Sequence, residues 1–290
     1  MKYIEAIEKR QSIREFRKKE LSDKQTAEIR EFYGSFKPLI PEIGTELVIS
    51  TGEEIGTRLE GSTGYRGHSF NAPAYITILS EVKDHYLINA GYLAENLLLK
   101  LVDMDIDHCW LTTNGSDNVK RALFLEDKDK EAVVVIACGF GKKERSLLRL
   151  DIQTPSNVKV SKRAGHIAPK IAQDEMVYHR SWGRPVDWNT VDPHLDLAFY
   201  AGSLAPSFLN KQPYRYVLAE PYVILYRLKE DQGTTYEDLF LDAGATMANF
   251  EAVFEDYSSF DRKWNCDVPE EIIQAGAPDD YEAAAYYTLV

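Results

Sequence analysis

Two stretches of the chain place apolar residues at the three- and four-residue steps of a helix buried along one side. Leu87, Ala90, Ala94, Leu97 and Leu101 form the first; Phe240, Ala243, Met247, Phe250 and Phe254 form the second. The two share a small-residue step. Ala90-Gly91 is followed by Asn96, and Ala243-Gly244 by Asn249, each 153 positions after its counterpart. Two ordinary amphipathic helices could share such a step by chance, but an offset near half the chain favours two copies of one domain. Short β-branched and aromatic runs bracket both helices. Residues 46–50 and 74–79 precede the first, and 132–137 follow it, ending in Gly139-Phe140-Gly141. Residues 214–218 and 222–226 precede the second, and 285–290 follow. The pattern predicts an α+β fold with a first lobe over 1–165 and a second over 166–290, not a βαβ repeat. A stretch rich in Gln, Pro, Ser and Lys, residues 151–174, joins the halves and carries Lys159, Lys162, Arg163 and Lys170. It reads as a solvated linker, or as the end of the first lobe returning a cation to an anion site.

Composition narrows the classes. Of 290 residues, 44% are apolar and 28% charged, enough for a sizeable core. The net charge of −12 disfavours nucleic acid and anionic membrane as general partners, so an anionic ligand needs a local basic pocket. No apolar run approaches the roughly 20 residues that span a bilayer. The opening Met1-Lys2-Tyr3-Ile4-Glu5 is amphipathic and acidic, unlike a signal peptide. Cys109, Cys138 and Cys266 are few, odd in number and without metal-ligand spacing, which fits a reducing cytoplasm. Cys109 and Cys138 sit in apolar runs and read as small buried hydrophobes. His194, in Asp192-Pro193-His194, reads as part of a helix start.

Candidate chemistry lies in two segments far apart in the chain. Arg10-Gln11-Ser12-Ile13-Arg14 follows an opening helix. In extended form, Arg10, Ser12 and Arg14 share one side, so two guanidinium forks and a hydroxyl converge where phosphate oxygens would fit. Lys9, Arg17, Lys18 and Lys19 crowd the same region, so a basic helix end is the plain alternative. The second segment is Ala205-Pro206-Ser207-Phe208-Leu209-Asn210-Lys211-Gln212-Pro213. Its turn residues can set backbone N–H groups and the Ser207 and Asn210 side chains against a planar heterocycle. There is no Gly-rich phosphate loop of dinucleotide or P-loop type.

Together the segments resemble the FMN-dependent nitroreductase family, particularly its fused, two-lobed members. The resemblance implies that Arg10, Ser12 and Arg14 hold the FMN phosphate, and that Pro206, Ser207 and Asn210 belong to the loop that lies against the flavin from the neighbouring subunit. Gln212-Pro213-Tyr214 resembles a Gln-Pro-Trp signature with Tyr for Trp. Residues 106–114 resemble a turn near the flavin, making Leu111, Thr112 and Thr113 weaker candidates. Gly139-Phe140-Gly141 resembles the close of the domain, and Lys162 or Arg163 a late phosphate-binding cation. In the family the two motifs lie close together in one chain, and the second serves the partner. Here the first half has Pro38-Leu39-Ile40 where Pro-Ser-x-x-Asn is expected, and the second has Arg180-Ser181-Trp182-Gly183-Arg184 for Arg-x-Ser-x-Arg. The implied arrangement is a dimer fused into one chain, sufficient as a monomer, with one FMN site retained and a degenerate one around Arg184 and Pro38. The implied activity passes electrons from NADH or NADPH through FMN to a nitroaromatic, quinone or similar small-molecule acceptor. Tyr65 or Phe140 is a candidate wall of the substrate space, and no separate acid–base residue stands out. A flavin-binding module without useful turnover is the second reading, motivated by the loss of half the sites; a flavin-independent interaction protein is a third.

Overall fold

The structure, a computed structural model, describes residues 1–142, 147–154, 157–163, 168–256, 263–273 and 276–289, without the side chains of 147–163. Two sheets organise it. Strands β1 (Thr45–Thr51), β2 (Ala74–Ser80), β3 (Asp107–Leu111) and β4 (Glu131–Gly139) form an antiparallel sheet in the order β1-β2-β4-β3. A hairpin of β5 (Leu147–Thr154) and β6 (Asn157–Arg163) stands apart. Strands β7 (Val177–His179), β8 (Tyr214–Ala219), β9 (Tyr222–Leu228), β10 (Trp264–Asn265) and β11 (Tyr281–Thr288) form the second sheet in the order β10-β11-β9-β8-β7, with only β7 parallel to its neighbour. Apart from β7, the order β8-β9-β11-β10 repeats β1-β2-β4-β3. The expected terminal strand 285–290 begins earlier, as β11, and Val290 lies outside the described residues.

Helices α1 (Tyr3–Lys9), α2 (Asp23–Ser35), α3 (Ile55–Arg58), α4 (Tyr86–Asp103) and α5 (Ser116–Ala122) belong to the first half. Helices α6 (Gln173–Met176), α7 (Pro193–Ser203) and α8 (Tyr236–Glu255) belong to the second. Strand β2 shows why the first sheet is central: all seven residues are buried. Ala74, Ile76 and Ile78 pack with Leu97 and Leu98 of α4, while Tyr75 and Leu79 pack with Val119 of α5, as strand alternation requires. At the start of α7, Asp192 accepts the His194 and Leu195 N–H groups at 2.8 and 3.3 Å, and Pro193 takes the first helical position.

The two long helices cross at the repeated glycines. A Cβ on Gly91 would lie 2.3 Å from the Leu241 carbonyl oxygen, and one on Gly244 would lie 2.2 Å from that of Ile88. The contacts are reciprocal, because Leu241 stands 153 positions after Ile88, as Gly244 does after Gly91. Only glycine lets the backbones approach this closely. The halves also interleave elsewhere. Leu39 packs into the core of the second sheet with Phe199 and Met247, and Leu241 packs into the core of the first.

Two expectations are corrected. The segment 106–114 is not a turn throughout: Asp107–Leu111 is β3, paired with β4, and the turn begins at Thr112. The edge of β4 would otherwise expose a row of unpaired backbone groups. Nor is 151–174 a plain solvated linker, because β5 and β6 occupy its first part. The alternation Leu148, Leu150, Ile152 and then Val158, Val160 is a period-two signal masked by the surrounding Lys, Gln and Ser. Among the described residues no helix is long and apolar enough to cross a membrane, and no cluster of three or more His, Cys, Asp or Glu could hold a metal ion.

Candidate functional site

The exit from α1, strand β3, helix α8, the segment at Lys170 and the loop 205–212 enclose a cavity of about 690 Å³. Arg10, Ser12, Arg14, Thr112, Pro206, Ser207 and Asn210 all line it, and Leu111 does too. Thr113 does not; it pairs with Thr63 in an isolated bridge. Lys162 and Arg163 belong to β6, where side chains lie outside the described part of the structure.

The first motif is extended because it is sewn to the first sheet. α1 ends at Lys9, Ser12 pairs in parallel with His108, and the Ile13 N–H donates to the His108 carbonyl at 2.9 Å. Phe16 bridges Gly141 and is buried. This extended run puts Arg10, Ser12 and Arg14 on the cavity.

The second motif is held from two sides. Both Asp242 carboxylate oxygens accept the Phe208 N–H, at 3.0 and 3.1 Å, and Ser207 Oγ accepts the Gln212 N–H at 2.9 Å. Leu209, Asn210 and Gln212 all take left-handed backbone, with φ of +49°, +58° and +50°. Three further bonds fasten the loop to residues 169–171. Asn210 Nδ2 donates to the Pro169 carbonyl at 2.6 Å, the Ile171 N–H donates to Gln212 Oε1 at 2.9 Å, and Lys170 Nζ donates to the Ala205 carbonyl at 2.6 Å. The motif's Ser, Asn and Gln therefore shape the loop and anchor the irregular segment that brings Lys170 to the cavity.

Lys170 is the cation that the joining segment returns to the site. Burial, then the neighbouring Arg10, lowers its ammonium to about 8, while Glu95 and Asp242 pull the other way. The acids are what sequence reading missed. Glu95 is wholly buried on α4, with Oε1 3.7 Å from Arg10 Nε. Burial raises its carboxyl to about 7, against the pull of Arg10, Lys170 and the Trp110 indole. On α8, burial lifts Asp242 well above the carboxylate range, helped by the neighbouring Asp238 charge, and lifts Asp238 to about 6. Asp238 accepts from Thr112 Oγ1 at 3.3 Å. A usable signal existed: Glu95 and Asp242 are charged residues in the middle of helical stretches whose neighbouring positions are mostly apolar or small.

The mouth is aromatic. Tyr65 is 47% exposed, and its ring centroid lies 6.2 Å from that of Phe208. Of the two aromatic candidates, Tyr65 lines the cavity; Phe140 instead lies under Lys19 Nζ, 4.0 Å from its ring. Cys109 also lines the cavity, and burial raises its thiol while Arg14 and Ser12 pull it down. Cys138 is buried away from it.

The counterparts of these residues, 153 positions away on the helices and 168 in the loops, differ in a consistent manner. Asn89 Oδ1 accepts the Ile40 N–H at 2.9 Å, as Asp242 accepts that of Phe208; each N–H belongs to the second residue after a proline, Pro38 or Pro206. Around this shared bond the space is filled. Leu39 stands where the cavity loop has Ser207, and Tyr92 where α8 has Ala245. The Tyr92 ring packs by Phe36, with centroids 6.1 Å apart, and its hydroxyl donates to Glu251 at 2.9 Å. Arg180 and Arg184 are exposed in a turn.

The family model described as "Putative TM nitroreductase" matches residues 2–238. No curated protein matches the sequence. Among solved structures, a "putative nitroreductase" of Thermotoga maritima is similar over 100% of this chain and 94% of its own, at 13% identity and a TM-score of 0.60. An FMN-dependent nitroreductase of Clostridium difficile is similar over 48% of this chain and 88% of its own, at 18% identity and a TM-score of 0.44. A "putative NADH oxidase" of Clostridium acetobutylicum is similar over 48% of this chain and 89% of its own, at 20% identity and a TM-score of 0.42. The α+β architecture is that of the nitroreductase fold, and the chain belongs to the family described as "Putative TM nitroreductase".

Proposed function

We propose that the protein is an FMN-dependent oxidoreductase that passes electrons from NADH or NADPH to a nitroaromatic, quinone or similar small-molecule acceptor. The observation that carries this reading is the cationic end of the cavity. Arg10 Nε and Nη1 are buried without hydrogen-bond partners, and Arg14, Ser12 and Lys170 line the same space. Unpaired buried guanidinium donors call for an anion with several acceptor oxygens, and a phosphate monoester supplies them. The volume of about 690 Å³ lies within the range of small-molecule and cofactor sites. The residues present fit FMN.

In this reading Arg10, Arg14, Ser12 and Lys170 hold the phosphate, and the loop at Pro206–Asn210 borders the ring. Bound FMN supplies the redox chemistry; the protein supplies position and field. Asp242 keeps the loop closed on the cavity through the Phe208 N–H. Tyr65 and Phe208 flank the entrance that an acceptor must pass.

The same reading makes the chain a duplicated domain, with lobes 1–165 and 166–290 standing for the two subunits of a dimer. The reciprocal glycine crossing, the repeated strand order and the matched Asn89 and Asp242 bonds support it. Only one site is retained per chain, because Leu39 and Tyr92 fill the other, and a monomer suffices. The three free cysteines fit a reducing cytoplasm. The test is addition of NADH or NADPH to the FMN-loaded protein under nitrogen. Flavin absorbance is expected to bleach and to return on adding a quinone. FMN that binds but is reduced by neither nucleotide would replace this reading with that of a flavin-binding module.

A further inference from the structure

Glu95 has no evident structural task. Its side chain is wholly buried, neither carboxylate oxygen accepts a well-formed hydrogen bond although the Trp110 indole lies close enough to favour the ionised form, and Arg10 stands at 3.7 Å. A buried carboxylate left so poorly paired costs stability. Helix packing does not require it, because α8 carries Ala248 at the matching position and buries it equally well. Glu95 also sits where it opposes the proposed ligand, since Arg10, its partner, is the buried donor group of the phosphate end.

We propose that Glu95 is the proton acceptor of the phosphate cradle: when a phosphate monoester occupies the cavity, Arg10 turns from Glu95 to the phosphate oxygens, and Glu95 takes up one proton from solvent. The inference rests on the FMN reading above. The step is a protonation alone: one O–H bond forms on Glu95, nothing is oxidised or reduced, and the proton comes from water or buffer. Its cause is electrostatic. In the unliganded cavity Arg10 holds part of Glu95 ionised against burial. A phosphate engages that guanidinium and adds like charge nearby, so the carboxylate loses its support.

The other groups facing Glu95 leave it as the responsive member. From β3 comes the Trp110 indole, which does not titrate; His108 of the same strand lies near Arg10, and burial and that guanidinium hold it down to about 3 and therefore neutral. From the second lobe comes Tyr214, which burial keeps protonated. Lys170 faces it from the crossing segment, with Asp242 behind, and gains protons on anion binding in its own right. Glu95 itself raises that ammonium, so the Glu95→Gln comparison is repeated in a Lys170→Gln background, which removes that contribution. The sign is fixed by linkage: a group that binds a proton more strongly in the complex makes affinity fall as pH rises through its free-state value, here about 7.

The experiment is calorimetric titration of the wild type and Glu95→Gln with FMN at pH 8, in two buffers of different ionisation enthalpy, with riboflavin in parallel. The wild type is expected to take up about one proton more than Glu95→Gln, and its FMN affinity to fall by up to about tenfold between pH 7 and 8 beyond any fall in the variant. Riboflavin, without phosphate, should show no such difference. Equal proton uptake by the two proteins overturns the inference while leaving FMN binding intact. Folded proteins that bind neither FMN nor inorganic phosphate overturn the FMN reading and the inference with it. Should Glu95→Gln not fold, Glu95→Ala serves in its place, as an alanine is already accommodated at position 248 of the sister helix.

Discussion

Replacing Arg10 with alanine is expected to weaken FMN binding by roughly ten- to more than a hundredfold. A hydrogen bond to a charged group contributes about 1.5–3 kcal/mol, and Arg10 offers at least two buried donors, Nε and Nη1. Arg14→Ala should cost less, because that side chain is reached by solvent, and the double variant should bind FMN only at high concentration. Riboflavin separates the causes. It lacks the phosphate, so its weaker binding should change little in either variant. Fluorescence titration of both ligands against the three variants is the measurement, and an Arg10→Ala protein with wild-type FMN affinity would refute the phosphate assignment. Removing the cation leaves Glu95 with only Lys170 and the Trp110 indole to favour its ionised form against burial. Arg10→Ala should therefore take up less proton at Glu95 on ligation than the wild type.

The second large effect is expected at the helix crossing. Gly244→Ala places a methyl 2.2 Å from the Ile88 carbonyl oxygen and 2.6 Å from the Tyr92 nitrogen, both backbone atoms that cannot rotate away. The helices must separate, which costs about 1–3 kcal/mol and at times more. Alanine's helix propensity returns only about 1 kcal/mol. A net loss of stability by urea denaturation is expected for Gly244→Ala and for its reciprocal Gly91→Ala. The two losses should not add, because both act on one crossing. Gly34→Ala in α2 is the control: a Cβ there meets nothing within 4 Å, so stability should hold or rise. FMN affinity should fall with Gly244→Ala but not with Gly34→Ala, since α8 carries Asp238, Asp242 and Ala245 into the cavity wall. Equal stability of wild type and Gly244→Ala would show that the crossing yields without cost.

Much of this organisation was legible in the chain itself. The long helices were visible in their apolar spacing, and six of the strands in β-branched and aromatic runs, because burial from several sides leaves a continuous signal. The helix start at Asp192 was legible because capping chemistry is local. What escaped was fixed by partners distant in sequence. Strand β3 is short and has no alternation of its own; pairing with β4 decides it. The hairpin of β5 and β6 was hidden by composition, although Val158 and Val160 alternate with Lys159 and Ser161. In the site, Arg10, Ser12 and Arg14 could be placed on one side from strand geometry alone. Lys170 could only be suspected, since its arrival depends on Asn210 and Gln212 grasping residues 169–171. The acids Glu95 and Asp242 were present as polar letters in apolar helices. Their effect depends on what crosses the helix, and that is a tertiary fact. The reciprocal contact of Gly91 and Gly244 turns an offset between two sequence steps into one physical crossing.

The central claim, one flavin site built from both halves of a single chain, is tested most directly by the stoichiometry of FMN binding. Titration of the purified protein with FMN, followed by flavin fluorescence and checked by the absorbance of the desalted complex, is predicted to saturate at one FMN per chain. Saturation at two would show that Leu39 and Tyr92 do not close the second site, and an absence of binding would contradict the account altogether.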